Sequence, residues 1–414
     1  MMNLNAKAIK FYLEIVVYIL LVSLATFSTD IYLPSLMVMQ KYFNASIHDS
    51  QATLVYYLLG FSCCMFFCGI LSDLLGTKRV LLVGLTVYIL VSWLCIYATS
   101  IHEIEIYRFL QGLSGCSGTI LARVIVRNFY PANTAVKILS YLTSGMAIAL
   151  AFSPVLGAIL VKQFSWHISF VMMMLYGTIV LGGCYFIPHL KPSRRLNFNF
   201  YHYFYNILKH YSLALKSKEF VVHTLVISCS WANFFLILLE YPFLLMHQQK
   251  YTLHQFGVIV TFIMLGYFLG SFITRKLMQK NINRNHIVLI GILVMLLGGA
   301  IGINALFLST EVFTIILPPF IFLIGVSIVM PQSQYAAVAD PKVASSSSTG
   351  LIYFIEMLST AIFTNVIKNS FHPSFALIWV SLLLSTGLLA IVFYATIMIK
   401  IFKFSALRAK ISLS

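Results

Sequence analysis

Twelve long apolar runs constrain this chain more than any other feature of its sequence. An α-helix needs about 20 consecutive apolar residues to cross the hydrocarbon core of a bilayer, and each run is close to that length. The runs cover residues 11–39, 50–71, 80–98, 104–126, 137–161, 168–188, 220–246, 255–274, 286–308, 312–334, 346–367 and 373–402. Only 9% of the 414 residues are charged, against about 25% in soluble domains. The sequence therefore predicts an all-α membrane protein with twelve transmembrane helices.

A polar stretch in the middle of the chain separates the first six runs from the last six. It predicts an N-terminal six-helix bundle over residues 1–188, a cytoplasmic linker over 189–219 and a C-terminal six-helix bundle over 220–414. The linker mixes basic side chains with an aromatic run over residues 198–205. This mixture favours an amphipathic helix at the membrane interface, with RNA binding as the alternative.

The two halves repeat one arrangement, in which an acidic residue is followed by a proline. Asp30 lies about 20 residues into the first run and Pro34 follows it, while Glu240 lies about 20 residues into the seventh run and Pro242 follows it. Pro34 is expected to interrupt its helix, because proline has no N–H to donate. Polar groups at matching depth in two sets of six helices indicate an internal repeat. We therefore expect two pseudo-symmetric six-helix bundles.

Lys and Arg residues are concentrated on one side of the predicted membrane. Of the 27 Lys and Arg residues, Arg108 lies inside a run and only four fall on the outer side: Lys41, Lys162, Lys250 and Lys368. Because cytoplasmic loops carry an excess of basic residues, we expect both termini and the linker to be cytoplasmic. The same distribution explains the formal net charge of +16 without nucleic acid as a partner.

Asp30 and Arg108 are the ionisable residues for which a function is most expected. An ionisable side chain within a span is costly and indicates a polar cavity or a partner. Both residues lie near the outer ends of their runs, so an ion pair or a water-linked network can join them. We hypothesise that Asp30 binds a coupling proton and that Arg108 tunes it, since desolvation and a neighbouring guanidinium act on a carboxyl group in opposite directions. The alternative is a fixed salt bridge that only links two helices.

Other polar and aromatic side chains within the runs are candidates for a substrate cavity. The predicted cavity residues are Tyr32, Gln111, Trp231, Phe234, Glu240 and Glu356, and Tyr56, Tyr57 and Phe235 are further aromatic candidates for binding flat hydrophobic cations. Not every acidic residue belongs to such a cavity. Glu14 is expected to reach the inner interface. Four others are expected in solvated outer loops: Asp49, Glu103, Glu105 and Glu311.

No pattern in the sequence indicates catalysis or cofactor binding. There is no phosphate-binding loop and no arrangement of nucleophile and base. The seven cysteines all lie in apolar runs, and the eleven histidines show no ligand spacing. We therefore expect no enzymatic activity, no metal and no cofactor.

The loop between the second and third runs carries a motif of small, acidic and basic residues. Gly76 permits a tight turn, Asp73 ends a helix where it can pair with a cation, and Lys78 begins the next helix at the inner surface. The loop resembles the signature G-x-L-(a/s)-D-x-x-G-(r)-(k/r)-(r) of the major facilitator superfamily, which implies a cytoplasmic gating role. The matching positions are Gly69, Leu71, Asp73, Gly76, Lys78 and Arg79, whereas Leu74 and Thr77 replace basic residues.

Four further segments are similar to motifs of that superfamily, and two of these motifs are those of its Bcr/CflA drug-resistance branch. Arg108, Gln111 and Gly112 match the superfamily's motif in the fourth helix. For the branch, residues 29–34 are similar to T-D-x-Y-L-P, and residues 122–128 are similar to A-R-x-I-V-R-D, with Asn128 in place of the acid. Arg123 and Arg127 of this segment are expected to belong to the cytoplasmic gating set. The segment Ser153, Pro154 and Gly157 is similar to the antiporter motif G-P-x-x-G-G, with Ser153 and Ala158 replacing glycines. For the antiporter motif, the resemblance implies a role in preventing leak during exchange.

The resemblance implies the major facilitator fold and a drug:proton antiporter. Such a protein exports amphipathic drugs or toxic compounds across the bacterial inner membrane by alternating access, and its partners are protons, a small-molecule substrate and the lipid bilayer. We expect a monomer. Two alternatives remain open. One is export of an endogenous metabolite such as a siderophore or an amino-acid derivative, and the other is a non-transporting membrane sensor or an integral membrane enzyme.

Overall fold

The computed structural model describes residues 2–185, 187, 200–280, 282–305, 307, 312–340, 343, 346–372 and 374–398. The helices in this part of the chain are α1 Met2–Asp30, α2 Leu33–Tyr42, α3 Ile47–Leu75, α4 Thr77–Ile96, α5 Ile101–Phe129, α6 Ala132–Phe164, α7 His167–Cys184, α8 Phe200–Lys216, α9 Lys218–Phe243, α10 Leu253–Gln279, α11 Arg284–Ala305, α12 Val312–Ala337, α13 Ser346–Ser370 and α14 Phe375–Phe393. Short π-helical segments over Leu244–Gln248 and Tyr394–Met398 continue α9 and α14.

Twelve segments within the described residues are long and apolar enough to cross a membrane. They are Phe11–Asp30, Ile47–Cys68, Thr77–Ile96, Ile101–Val126, Lys137–Phe164, His167–Cys184, Lys218–Gln248, Leu253–Gln279, Arg284–Asn304, Ile315–Ala337, Ser348–Ser370 and Phe375–Thr396. The predicted twelve-helix membrane fold is therefore confirmed. The helices α2 and α8 are not among these spans.

The chain divides into two compact units. The first unit draws its residues from Met1–Phe200, Tyr241–Thr261 and Asn365–Ser370, and the second from Tyr201–Glu240, Phe262–Thr364 and Phe371–Ser414. In the first unit, α3 packs along α5, and in the second unit, α11 packs along α12. The predicted boundaries at residues 188 and 220 stay a prediction.

A helix break follows Asp30, where the sequence predicted an interruption. Pro34 lies in the first turn of α2 and has no N–H to donate. In a continuous α-helix the N–H of Ser35 would bond to the carbonyl of Ile31, four residues before it. Here that N–H bonds to the carbonyl of Tyr32 at 2.9 Å instead. The break therefore leaves the Ile31 carbonyl for a side-chain donor.

The turn between α3 and α4 depends on Gly76. Its φ of 88° lies in a region that residues with a Cβ rarely adopt, and its N–H bonds to the Ser72 carbonyl at 3.0 Å. The hydroxyls of Ser72 and Thr77 lie 2.9 Å apart across the turn. The predicted tight turn is therefore present, and Thr77 stabilises it by a neutral hydrogen bond where the superfamily pattern has a basic residue.

The linker contains the amphipathic helix α8. Its buried side chains Ile207, Tyr211 and Ala214 recur at intervals of four and three residues, which places them on one face. Burial raises the pKa of the Tyr211 phenol. Residues 188–199, with Lys191, Arg194 and Arg195, lie outside the described residues.

Candidate functional site

Asp30 is a buried carboxyl at the end of α1. It is 1% exposed, and its Oδ1 accepts a hydrogen bond from the Thr29 hydroxyl at 3.0 Å. Within the described part of the chain, no partner lies within hydrogen-bonding distance of its Oδ2. The arrangement leaves one carboxyl oxygen for a proton, a water or a ligand.

Arg108 lies two turns into α5 and is fully buried. Its guanidinium carbon is 4.4 Å from the ring centre of Tyr32 and 4.2 Å from that of Tyr57. Its Nη1 donates to Gln111 Oε1 at 2.5 Å and, more weakly, to the Ser28 carbonyl at 3.5 Å. The cation is therefore held between two aromatic faces, an arrangement that is favourable because the faces of the rings are negative.

Gln111 extends this arrangement to neighbouring helices. Its Nε2 donates to Ser92 Oγ on α4 at 2.7 Å and contacts Met173 Sδ on α7 at 3.4 Å. On α1, the Ser28 hydroxyl bonds to the Tyr88 hydroxyl of α4 at 2.5 Å. Arg108 thus lies at the centre of a polar network that joins α1, α3, α4, α5 and α7.

Asp30 and Arg108 do not form a direct ion pair. No ion pair between their side chains is found within the described residues. Moreover, within the same part of the chain, Arg108 Nε and Nη2 have no hydrogen-bond acceptor. Of the two links considered from the sequence, the structure therefore lacks the direct one. The water-linked network stays a prediction.

The antiporter-like segment of α6 packs against the helix break. A Cβ atom at Gly157 would overlap the Ile31 carbonyl oxygen, so only glycine permits this approach. The Ile31 carbonyl accepts from the Ser169 hydroxyl of α7 at 3.2 Å, which supplies the side-chain donor that the break requires. Earlier in α6, the Ser153 hydroxyl donates to the Ala149 carbonyl at 2.6 Å, next to Pro154.

Residues predicted to belong to the cytoplasmic gating loop are only partly described. Lys78 is half-buried and Arg79 is exposed, while Arg123 donates from Nη2 to Met146 Sδ of α6 at 3.2 Å. Side-chain detail at Asp73 and Arg127, and the surroundings of Gly69, lie outside what the structure describes. The gating role of this set stays a prediction.

The second unit holds the remaining predicted cavity residues. Glu240 and Glu356 are 1% and 2% exposed, so neither lies at a solvated interface. Trp231 packs against Phe234 and Phe235, with ring centres 5.0 and 5.6 Å away. These residues form one aromatic cluster on α9.

The two aromatic candidates of α3 lie in different surroundings, and their place in a substrate cavity stays a prediction. Tyr57 contacts the protein's own cation, Arg108. Tyr56, its neighbour in α3, is 40% exposed and lies on another face of the helix. One helical step of about 100° separates the two tyrosines.

A stripe of hydrogen-bond donors on α9 was not predicted from the sequence. Thr224, Ser228 and Trp231 recur at intervals of four and three residues, so they share one helix face. Among the described residues, none of the buried atoms Thr224 Oγ1, Ser228 Oγ and Trp231 Nε1 has a hydrogen-bond partner. By contrast, the Ser230 hydroxyl on the same helix donates to the Val226 carbonyl at 2.7 Å. The sequence shows the spacing of these residues, but it does not show that their side chains lack hydrogen bonds to backbone carbonyls.

Ionisable residues near the span ends are more buried than predicted. Glu105 was expected in a solvated outer loop, but it is 9% exposed and its Oε2 lies 3.2 Å from His102 Nδ1. Lys368, assigned to the outer side, is 6% exposed and donates to the His48 carbonyl at 3.2 Å. The expectation that Glu105 is solvated was wrong because packing of the helix ends excludes water, whereas the assignment of Lys368 to the outer side stays a prediction. Glu311 lies outside the described residues.

Glu14 is likewise buried rather than extended to the interface. It is 5% exposed, and its Oε2 accepts a hydrogen bond from the Tyr130 hydroxyl at 2.8 Å. Burial, reinforced by the Glu14 carboxylate, raises the pKa of Tyr130 to about 12. The side chain thus links α1 to the turn after α5.

Twelve candidate spans with buried ionisable side chains inside them are typical of a polytopic membrane transporter. The family model described as Major Facilitator Superfamily matches residues 18–364, so the chain belongs to that superfamily of secondary transporters and is not an enzyme. A D-xylose–proton symporter of known structure matches 92% of this chain and 97% of its own with a TM-score of 0.74, at 13% identity. This structural likeness shows the fold alone.

Sequence relatives indicate which branch of the superfamily the chain resembles. An uncharacterized transporter of Rickettsia bellii is 24% identical over 400 residues, which cover 92% of this chain and 96% of the relative. A bicyclomycin resistance protein homolog of Haemophilus influenzae is 26% identical over 263 residues, which cover 61% of this chain and 64% of the relative. Relatives named for drug resistance agree with the resemblance to the Bcr/CflA branch.

Proposed function

We propose that this protein is a proton-coupled exporter of amphipathic compounds, drugs among them. It works by alternating access as a monomer in a bacterial inner membrane, with both termini in the cytoplasm. The observation that carries the proposal is the buried Asp30 carboxyl, whose Oδ2 has no hydrogen-bond partner among the described residues. A carboxyl group that no fixed cation pairs with can gain and lose a proton during a transport cycle. The relative named for bicyclomycin resistance supports the substrate class.

Arg108 carries the positive charge whose contacts change when Asp30 binds this proton. Two rings and Gln111 hold its guanidinium, while its Nε and Nη2 have no acceptor within the described part of the chain. Ionised Asp30 supplies an acceptor for these donors, directly or through water, and protonated Asp30 attracts them less. Proton binding thereby changes which group holds the cation, and this difference is what couples the proton to a conformational equilibrium.

The substrate contacts the second unit through α9. Trp231 and Phe234 supply an aromatic surface, and the donors of Thr224 and Ser228 lie on the face that Trp231 shares. Apolar walls with a few donors are typical of sites that bind amphipathic small molecules. The buried carboxyls of Glu240 and Glu356 suit substrates that carry a positive charge.

The test of Asp30 is drug-stimulated proton movement in proteoliposomes that contain the purified protein. Asp30→Asn should abolish proton movement while the protein still binds substrate, because the amide keeps the shape of the carboxyl and cannot ionise. Glu219→Gln, which neutralises an exposed acid at the start of α9, should leave coupling intact. Undiminished proton movement in Asp30→Asn would remove this carboxyl from the proton path.

The substrate class is tested by a screen under an imposed pH gradient. Cationic dyes, neutral antibiotics and native metabolites are offered to the same proteoliposomes. We expect accumulation of several unrelated amphipathic compounds. Accumulation of a single native metabolite would replace drug export by metabolite export, and accumulation of none would contradict a transport function for the purified chain.

A further inference from the structure

A groove opens in the second unit between the last turns of α10 and the last part of α12. Its volume is about 380 Å³, within the range of roughly 300–1,000 Å³ that is typical of small-ligand sites. The lining residues from α10 are Ser271, Thr274, Arg275, Met278 and Gln279, and those from α12 are Pro331 and Gln332. None of these residues belongs to the transport site proposed above.

The lining combines one cation with neutral donors and apolar atoms. Arg275 supplies a guanidinium, Ser271 a hydroxyl and Gln332 an amide, whose Nε2 already contacts Met278 Sδ at 3.1 Å. No carboxylate in the described residues lies within ion-pairing distance of Arg275. Arg275 can therefore bind a phosphate through its planar fork of N–H groups.

The α10 side of the groove is rich in basic residues and has no acid nearby in the sequence. Lys276, Lys280 and Arg284 follow Arg275 within the same helix end and the next helix start, and residues 241–310 contain no Asp or Glu. Two of these cations already lie over aromatic rings, since Lys276 Nζ is 4.8 Å from the Phe272 ring centre and the Arg284 guanidinium carbon is 3.5 Å from that of Tyr335. Arg275 is the member of this group that lines the groove.

The groove lies at the end of a membrane span. The span Leu253–Gln279 ends within the lining residues, and Phe272 and Met278 beside them are 49% and 46% exposed. Exposed apolar side chains suit acyl chains, and the basic end of a span lies at the headgroups of the cytoplasmic leaflet. We propose that this groove binds the phosphate of an anionic phospholipid, with Arg275 as its charged ligand and Met278 and Pro331 against the glycerol and upper acyl carbons.

Anionic lipid is favoured over a free anion because of this mixed lining. A soluble phosphate gains nothing from Met278 or Pro331, whereas a phospholipid satisfies the guanidinium and covers the apolar atoms together. Basic pockets between transmembrane helices on the cytoplasmic side bind anionic headgroups in this way. The lipid would stabilise the α10–α12 end of the second unit.

The test uses the full-length protein in detergent with phosphatidylglycerol, phosphatidylcholine or inorganic phosphate added. Native mass spectrometry counts retained lipids, and thermal unfolding reports stabilisation. We expect phosphatidylglycerol to be retained and to raise the unfolding temperature, and Arg275→Gln to weaken retention about fivefold, as expected for one basic residue at a membrane surface. Lys276→Gln is the matched control. It also removes one positive charge, but Lys276, the neighbour of Arg275, does not line the groove.

Several outcomes would overturn the proposal. Equal retention of phosphatidylcholine, equal stabilisation by inorganic phosphate, or an equal effect of Lys276→Gln would each show that the groove does not select an anionic lipid. If Arg275→Gln does not fold, Arg275→Lys and Ser271→Ala replace it. Either should then weaken retention of phosphatidylglycerol, and unchanged retention in both would equally exclude the site.

Discussion

The guanidinium carbon of Arg108 lies 4.2 Å from the ring centre of Tyr57, in a site that is closed to solvent. The same guanidinium carbon lies 4.4 Å from the ring centre of Tyr32. A desolvated cation–π contact is worth about 2 kcal/mol, so two rings and Gln111 offset part of the cost of burying the charge. The cation is thus held within a membrane span without an ion pair to Asp30, as the proposed proton exchange at that carboxyl requires.

Tyr57→Leu should destabilise the protein because it removes one of the two aromatic faces. We expect the free energy of unfolding to fall by about 2 kcal/mol, together with a loss of proton-coupled transport. Thermal unfolding of the purified protein measures the first effect and proteoliposome assays the second.

Tyr56→Leu is the matched control for this change. Tyr56 is 40% exposed, so its replacement should leave both stability and transport close to those of the unmodified protein. Equal losses in the two variants would mean that Tyr57 acts through general packing of α3 and not through Arg108.

Gly157→Ala tests the close approach of α6 to the helix break. The added Cβ would overlap the Ile31 carbonyl oxygen, and overpacking of this kind costs about 1–3 kcal/mol. Because the displaced carbonyl lies directly after Asp30, we expect lower thermal stability together with proton leak in the absence of drug. Dissipation of an imposed pH gradient in proteoliposomes measures the leak.

Gly182→Ala provides the comparison for this variant. A Cβ at Gly182 meets no atom within 4 Å, so the helix propensity of alanine should leave stability unchanged or slightly raised. A stable, tightly coupled Gly157→Ala protein would show that α6 can shift away from the break at no cost.

Hydropathy was sufficient to predict the spans because a bilayer demands a long apolar run for each helix. Local chemistry also predicted two details. Pro34 lacks an N–H and so breaks the helix after Asp30, and Gly76 adopts the positive φ that its turn requires. Both depend on the residue itself and its neighbours in sequence, which is why a single sequence was enough.

The contacts that each buried side chain makes with other helices were not predictable in the same way. A direct ion pair with Asp30 was one of the two links expected for Arg108, yet the guanidinium is held by Tyr57 of α3. Which of two adjacent tyrosines faces Arg108 depends on the rotation of that helix. Glu105 was expected in water, yet packing of the helix ends buries it. These outcomes depend on contacts between segments far apart in sequence, which no local pattern specifies.

The donor stripe on α9 makes a prediction that separates stability from transport. The hydroxyls of Thr224 and Ser228 are buried and, among the described residues, have no partner. An unsatisfied buried polar group costs about 1–3 kcal/mol. Thr224→Val and Ser228→Ala together should therefore keep or raise the unfolding temperature of the substrate-free protein.

Transport by the same double variant should become weaker, although its stability is kept or raised. If substrate accepts hydrogen bonds from this stripe, losing one bond of about 1 kcal/mol raises KM about fivefold, with a smaller effect on the maximal rate. Ser230→Ala is the control, because its hydroxyl already bonds to the Val226 carbonyl at 2.7 Å and should not contact substrate. A stable double variant with unchanged KM for every transported compound would show that the stripe serves water or packing and that substrate binds elsewhere.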